Sequence, residues 1–232
     1  MTTTSNPSAP QCLIVVAAPV EAQAVCRAAS VPWRTLRSWE PLALTPTVVL
    51  VMCGVGKVNA AACVARLLPG PYRLVLSAGI GGALPGSGLE IGQSVVATGC
   101  AYADEGIVTP QGFRDCAQMG FPLGAFGGRT VSVDSGLLNR LRPLSDRAGI
   151  IATVSTCSGT DAAAAEVVAR TGGLVEGMEG AAVAHVAGAL GVAAGELRVV
   201  SNTTGDRGGQ QWDVPRATAA LARVLGQALG VL

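Results

Sequence analysis

Three short stretches of this sequence place chemically useful side chains directly after apolar runs. Glu21 is a lone carboxylate in Ala17-Ala18-Pro19-Val20-Glu21, following the apolar run that begins at Cys12. Glu176-Gly177-Met178-Glu179-Gly180-Ala181-Ala182 sets two carboxylates on either side of a Gly-Met step, where an apolar run gives way to an Ala-rich segment. Ser201-Asn202-Thr203-Thr204-Gly205-Asp206-Arg207 follows the apolar run Leu197–Val200. A carboxylate in such a place can act as a general base, or accept hydrogen bonds from two vicinal hydroxyls such as those of ribose. An Asn amide can both donate and accept. Each stretch also has a plainer reading. Acids in a first helical turn suit the helix dipole, and Asn at a strand end is a common turn residue.

Other chemistries are poorly served. Gly54-Val55-Gly56-Lys57 lacks the upstream glycine of a P-loop, and Val58 stands where that loop needs a hydroxyl. Gly79-Ile80-Gly81-Gly82 has Leu84 where a dinucleotide fingerprint needs Gly or Ala. These glycines allow close backbone approach to a ligand or to a neighbouring element, or they form bare turns. A single histidine excludes a His-rich zinc site, and the seven cysteines contain no CxxC pair. No cofactor and no metal are expected. An odd number of cysteines without a framework fits reduced thiols and a cytoplasmic location.

The elements that must position these residues follow from the apolar pattern. Continuous Val/Ile/Leu runs bounded by Gly or Pro predict strands at Cys12–Ala17, Val48–Cys53, Arg73–Ala78, Ser94–Thr98, Ile151–Ser155, Leu174–Glu176 and Leu197–Ser201. Helices are expected at Val20–Ala29, Lys57–Leu68, Asp161–Arg170, Met178–Leu190 and Pro215–Leu229, the last started by Asp213 and Pro215. Alternation of strand and helix predicts an α/β three-layer domain over residues 11–232, with a central, largely parallel mixed sheet flanked by helices. In such folds ligands sit at the carboxyl ends of the strands, where the three stretches fall. Residues 1–10 read as a disordered leader, and Gly99 to Arg129 as a long loop or excursion. Half of the residues are apolar and net charge is +1, with no block of like charges. That excludes an electrostatic nucleic-acid or membrane surface. Ala181–Ala194 is too short and too weakly apolar to span a bilayer.

Order and spacing together carry a resemblance. Ala17-x-x-x-Glu21, Gly54-x-Gly56-Lys57-Val58, Ala78-Gly79-x-Gly81-Gly82, Ile91-Gly92, Met178-Glu179-Gly180-Ala181-Ala182 and Ser201-Asn202 resemble the nucleoside phosphorylase/nucleosidase superfamily from about Cys12 to Leu225. Phosphorylases of that superfamily hold phosphate with arginines near the first strand turn and after the Gly-rich strand. Neither Ala17–Glu21 nor Ser77–Leu84 contains one, and Glu21 matches the position from which nucleosidases activate water. Further stretches are similar to its futalosine hydrolases: Tyr102-Ala103-Asp104-Glu105-Gly106 with Phe113, Val154-Ser155-Thr156 with Ser158-Gly159-Thr160, and Ser201-Asn202-x-x-Gly205-Asp206-Arg207 with Trp212-Asp213.

The resemblance implies hydrolysis of the N-glycosidic bond of futalosine, in menaquinone biosynthesis, with release of hypoxanthine. Glu21 would activate water, Glu179 bind the ribose hydroxyls, and Met178 pack on the sugar. Ala17, Gly79 and the segment Ser155, Thr156, Gly159 and Thr160 would complete the substrate contacts. Adenosine-type nucleosidases typically carry Asp where this chain has Asn202. A 6-oxopurine presents acceptors at O6 and N7, to which an amide NH₂ can donate. Protonation of the leaving purine falls to water or Asp206, or a hydrogen bond suffices. Arg207, Arg129 and Arg114 are candidates for the substrate's carboxylate. The resemblance also implies a homodimer or larger homo-oligomer. Rival expectations are a purine nucleoside phosphorylase, a 5′-methylthioadenosine/S-adenosylhomocysteine nucleosidase and a non-catalytic nucleoside-binding protein.

Overall fold

A computed structural model describes residues 11–232; the expected leader, residues 1–10, lies outside the described residues. The chain runs β1 (Cys12–Val16), α1 (Pro19–Ala28), β2 (Leu42–Ala43), β3 (Val48–Met52), α2 (Lys57–Leu67), β4 (Leu74–Ala83) and β5 (Ser94–Tyr102). It continues through β6 (Gly106–Thr109), β7 (Gly112–Asp115), β8 (Thr130–Ser132), α3 (Ser135–Leu141) and β9 (Arg147–Thr153). Last come α4 (Asp161–Thr171), β10 (Val175–Gly177), α5 (Gly180–Ala189), β11 (Ala193–Thr203) and α6 (Val214–Ala228).

Continuous apolar runs became strands covered on both faces, as the pattern predicts: every residue of β1 and β3 is buried. Nine strands form one sheet in the order β10-β9-β5-β11-β4-β1-β3-β2, with β8 added on β5. The pairs β1–β3, β1–β4, β4–β11, β5–β9 and β9–β10 are parallel, whereas β4–β10, β5–β11, β2–β3 and β5–β8 are antiparallel, so the expected mixed sheet flanked by helices is present but is less parallel than the apolar runs predict. On one face α1 and α6 pack their apolar stripes, including Val25, Leu221, Val224 and Leu225. On the other, α2 and α5 bury Cys63, Val64, Val183 and Ala187. Asp213 caps α6 by accepting from the Arg216 N–H, which confirms the expected start of that helix. Among the described residues no helix is long and apolar enough to cross a membrane.

One feature of the sheet matters most for what it holds. β10 pairs with β9 and also, antiparallel, with β4, through Val175↔Ala83 and Glu176↔Gly82. Strands β10, β9, β5, β11 and β4 thereby close on themselves. The glycine cluster expected as a loop or close-approach element is the end of β4. An added Cβ on Gly81 would stand 2.6 Å from the Glu176 carbonyl oxygen, so only glycine admits β10 there.

Several boundaries differ from expectation. The excursion from Gly99 is partly regular: β5 runs on to Tyr102, and β6 and β7 form a hairpin. α5 starts at Gly180 rather than Met178, leaving Met178 and Glu179 in the strand-to-helix turn. α3 and β8 escaped notice because each is too short to show a period.

The closure of the sheet is testable. Gly81→Ala should destabilise the protein by about 2 kcal/mol, since the clash is with backbone that cannot rotate away. Gly188, in α5 with open space around its missing Cβ, is the control: Gly188→Ala should be neutral or stabilising by up to about 1 kcal/mol. Urea unfolding of both variants measures the contrast, and equal effects would contradict it.

Candidate active site

At the carboxyl ends of β1, β4, β10 and β11 lies a cavity of about 510 Å³. Its lining includes Ala17, Glu21, Gly159, Met178, Glu179, Asn202 and Arg207, so seven of the residues singled out from sequence meet in one place.

Glu21 reaches the floor because α1 begins immediately after β1, with Pro19 at its start. Its Oε2 accepts from the backbone N–H groups of Ala17 and Ala18, both at 2.9 Å, and Oε1 accepts from Ile80 N–H at 2.9 Å. Burial pushes the Glu21 carboxyl above its ordinary value, while the Arg198 charge and these N–H donors pull against that. Gly79 leaves the space that Glu21 occupies: a Cβ there would lie 2.3 Å from Glu21 Oε1 and 2.6 Å from an Arg198 Nη1. Gly79 therefore stands behind the cavity floor and not in the lining.

Arg198 is the principal residue that sequence inspection missed. It sits in β11 opposite Gly79, with Glu196 opposite Ser77 in the same register. The guanidinium donates Nε to Glu196 Oε1 at 2.8 Å and Nη2 to Ser77 Oγ at 3.1 Å, and Nη2 lies 3.2 Å from Glu179 Oε2. Burial works against the Arg198 charge, but Glu196, Glu179 and Glu21 together push its pKa up. A signal was available. Glu196 and Arg198 are two residues apart in an otherwise apolar strand, which turns both to one face.

Glu179 is fixed from three sides: it accepts from Gly56 N–H at 2.9 Å and Met178 N–H at 3.3 Å, and it faces Arg198. Gly56, with φ +96°, is what turns that N–H toward it. Lys57, next in the chain, is not part of the cavity; it pairs with Asp104 and Glu105.

Asn202 is aimed by a bulge. β11 stays in step with β4 through Val200↔Gly81 and resumes at Asn202↔Gly82, so Ser201 is the extra residue. The Ser201 hydroxyl donates to Asn202 Oδ1 at 2.8 Å, and Nδ2 donates to the Thr203 carbonyl at 2.9 Å. One Nδ2 hydrogen is left for the cavity. The wall beside it rests on Glu176, which the sequence marks beside Glu179 but to which it assigns no role: it accepts from Ser158 N–H at 2.9 Å and Ser158 Oγ at 2.6 Å. Burial raises the Glu176 carboxyl, and the Ser158 bonds oppose this. Gln210 ties the rim together through the carbonyls of Ser158 and Gly205, and its Oε1 takes Arg207 and the Trp212 indole N–H. Arg207 stacks over the Trp212 ring at 4.8 Å.

Four expected site residues lie elsewhere. Asp206 and Asp161 exchange hydrogen bonds at 3.0 Å, each accepting from the other's backbone N–H, so Asp206 serves the start of α4. This removes the geometric basis for Asp206 as proton donor. Thr160 caps α4 by accepting from Ala163 N–H. Ser155 N–H is held by Asp104, and Ser155 and Thr156 are exposed outside the lining. Of the three arginines considered for a carboxylate, only Arg207 lines the cavity. Arg129 is bound to Asp115 and the Arg170 carbonyl, and Arg114 to the Gln118 carbonyl.

Comparison with known proteins bears on the family and the fold. The family model of the phosphorylase superfamily matches residues 11–231. Futalosine hydrolase of Streptomyces coelicolor is 38% identical over 192 residues, 79% of each chain. The Thermus thermophilus futalosine hydrolase is 36% identical over 187 residues, 78% of this chain and 80% of its own. Among solved structures, a Helicobacter pylori 5′-methylthioadenosine/S-adenosylhomocysteine nucleosidase superposes with TM-score 0.79 at 18% identity, over 97% of this chain and 100% of that one. The native futalosine hydrolase of the same organism gives 0.75 at 18% identity, over 96% and 98%. At that identity the structures speak for the fold, whereas the curated relatives speak for kinship: the chain belongs to the phosphorylase superfamily and, within it, to the futalosine hydrolase family.

Proposed function

We propose that this protein hydrolyses the N-glycosidic bond of futalosine, releasing hypoxanthine and dehypoxanthine futalosine, in menaquinone biosynthesis. The observation that carries the reading is the cavity floor, where Glu21 and Glu179 flank a guanidinium already engaged by a third carboxylate. Identity of 36–40% to three futalosine hydrolases supports futalosine as the substrate.

Glu21 is the general base. Water bound against it gives up a proton to the carboxylate as its oxygen forms the bond to the ribose anomeric carbon. The bond to the purine nitrogen breaks, and its electron pair leaves with the base. The ribose passes through an oxocarbenium-like state, and Glu179 accepts the sugar hydroxyls while its charge favours that cation. Met178 packs on the sugar, with Ala17 and Gly159 in the surrounding wall. Asn202 donates its free amide hydrogen to O6 or N7 of the 6-oxopurine, which takes its proton from solvent. Arg207 is the cavity cation available to the carboxylate of the substrate. The protein works in the cytoplasm as a homodimer or larger homo-oligomer; seven free thiols support the reducing compartment.

A phosphorylase is the specific alternative, because Arg198 is an arginine at the site. Its positive charge is engaged by Glu196 and Glu179 and lies in the field of Glu21, which leaves little for a phosphate dianion. Incubation with futalosine, inosine and methylthioadenosine in phosphate-free buffer decides. Hypoxanthine should be released fastest from futalosine without added phosphate, and strict phosphate dependence would refute hydrolysis.

Glu21→Gln should lower kcat roughly 100- to 10,000-fold, the usual worth of a general base, while binding of the product purine changes little. A base must be ionised to act. With the Glu21 carboxyl raised by burial, kcat/KM should fall with acidification along a limb centred above 4.5, its ordinary value. A pH–rate profile with its acid limb below that value would remove Glu21 from this role. Asn202→Asp should shift preference from the 6-oxo toward the 6-amino form of one nucleoside by about tenfold or more. An unchanged ratio of kcat/KM values would show that Asn202 does not read the purine.

A further inference from the structure

Glu196 is fully buried, yet it forms no part of the cavity lining. Its Oε1 holds Arg198 Nε, and its Oε2 is the one buried side-chain oxygen or nitrogen among the described residues without a hydrogen-bond partner. The Cys100 thiol of β5 lies alongside it. Above the carboxylate sits Gly180, the first residue of α5, where a Cβ would come within 1.9 Å of Oε2. The missing Cβ of Gly180 is what leaves room for the carboxylate. A buried carboxylate is costly, and well-packed apolar side chains often serve stability as well as a buried ion pair does. Glu196 needs a reason beyond the fold.

The reason lies in the three nitrogens of Arg198. Nε is taken by Glu196 at 2.8 Å, and Nη2 by Ser77 and Glu179 at 3.1 and 3.2 Å. Nη1 has only a long contact of 3.5 Å to the Ile80 carbonyl. It converges with Glu21 Oε1 over Gly79, the two atoms together filling the place a Cβ would take. Resting on the hydrolytic reading above, we propose that Glu196 is a positioning residue: by anchoring Nε it sets the plane of the guanidinium and turns Nη1, beside Glu21, toward the attacking water. Glu196 touches neither substrate nor water and acts only through Arg198.

Reach and charge can be separated. Glu196→Gln keeps the length and an acceptor for Nε but loses the charge; Glu196→Asp keeps the charge but is one methylene too short. Positioning predicts that Glu196→Gln retains more than about a tenth of kcat. Glu196→Asp should lose about a hundredfold, the scale expected when a catalytic group moves by roughly 1 Å. KM for futalosine should stay within about threefold in both, since ground-state binding is untouched. In an Arg198→Met background the Glu196→Asp loss should vanish, because there is no guanidinium left to place. The reverse order of the two variants, or losses that multiply in the double variant, would overturn the proposal. Thermal melts verify folding. Should Glu196→Asp not fold, Glu196→Met replaces it in the same cycle, filling the space without an acceptor, under the same expectations. A wild-type protein that releases no hypoxanthine refutes the hydrolytic reading itself, a result distinct from either failure above.

Discussion

Arg198 carries a permanent charge at 1% exposure in the middle of a sheet, and much of the site exists to make that tolerable. A buried guanidinium must have its donors satisfied and its charge balanced. Glu196 and Ser77 do so from within the sheet, and Glu179 does so from the turn before α5. Each partner imposes a demand of its own. Glu196 needs a helix start without a Cβ, supplied by Gly180. Glu21 and Arg198 together need a strand without one, supplied by Gly79. The small residues around the site are thus the spatial complement of the charged ones, and substituting either set would strand the other.

The sheet supplies the remaining constraint. β4 pairs with β11 on one side and with the short β10 on the other, so the end of β4 is held between the two strands that carry Asn202 and Glu176. Closure brings the ends of β10 and β11 to the same edge as the β1–α1 turn. The bulge at Ser201 then shifts Asn202 out of step. Without it the period of two would carry Asn202 to the other face of the strand. Arg198 and Asn202 thus stand four residues apart along β11, on either side of the step that the bulge introduces.

Strand and helix alternation was legible because apolar runs and capping residues are local properties, and Asp213 caps α6 as its sequence suggests. The β4–β10 pairing was not, since β10 has three residues and its partner is a glycine run that reads equally well as a turn. In the site, Glu21, Glu179 and Asn202 stood out because each follows an apolar run at a strand end. Arg198 lies inside such a run and Glu196 directly before it, where the apolar neighbours hid two charges on one face. Asp206 misled for the opposite reason. Its type and spacing suited a proton donor, but proximity in sequence to Asn202 did not determine where it faced, and helix α4 claimed it.

Charge also bears on the choice between water and phosphate. Arginine at the base of a nucleoside site would ordinarily argue for an anion. Here the single guanidinium at the floor is met by Glu196, Glu179 and Glu21, all raising its proton affinity. Its donors are engaged by Glu196, Ser77 and Glu179, so a phosphate dianion would have to compete with carboxylates already in place. A neutral water faces no such competition, and on the proposed mechanism carboxylate charge at the floor favours the cationic ribose. In the proposed mechanism, selection of the nucleophile and acceleration of bond cleavage would thus follow from one arrangement of charges.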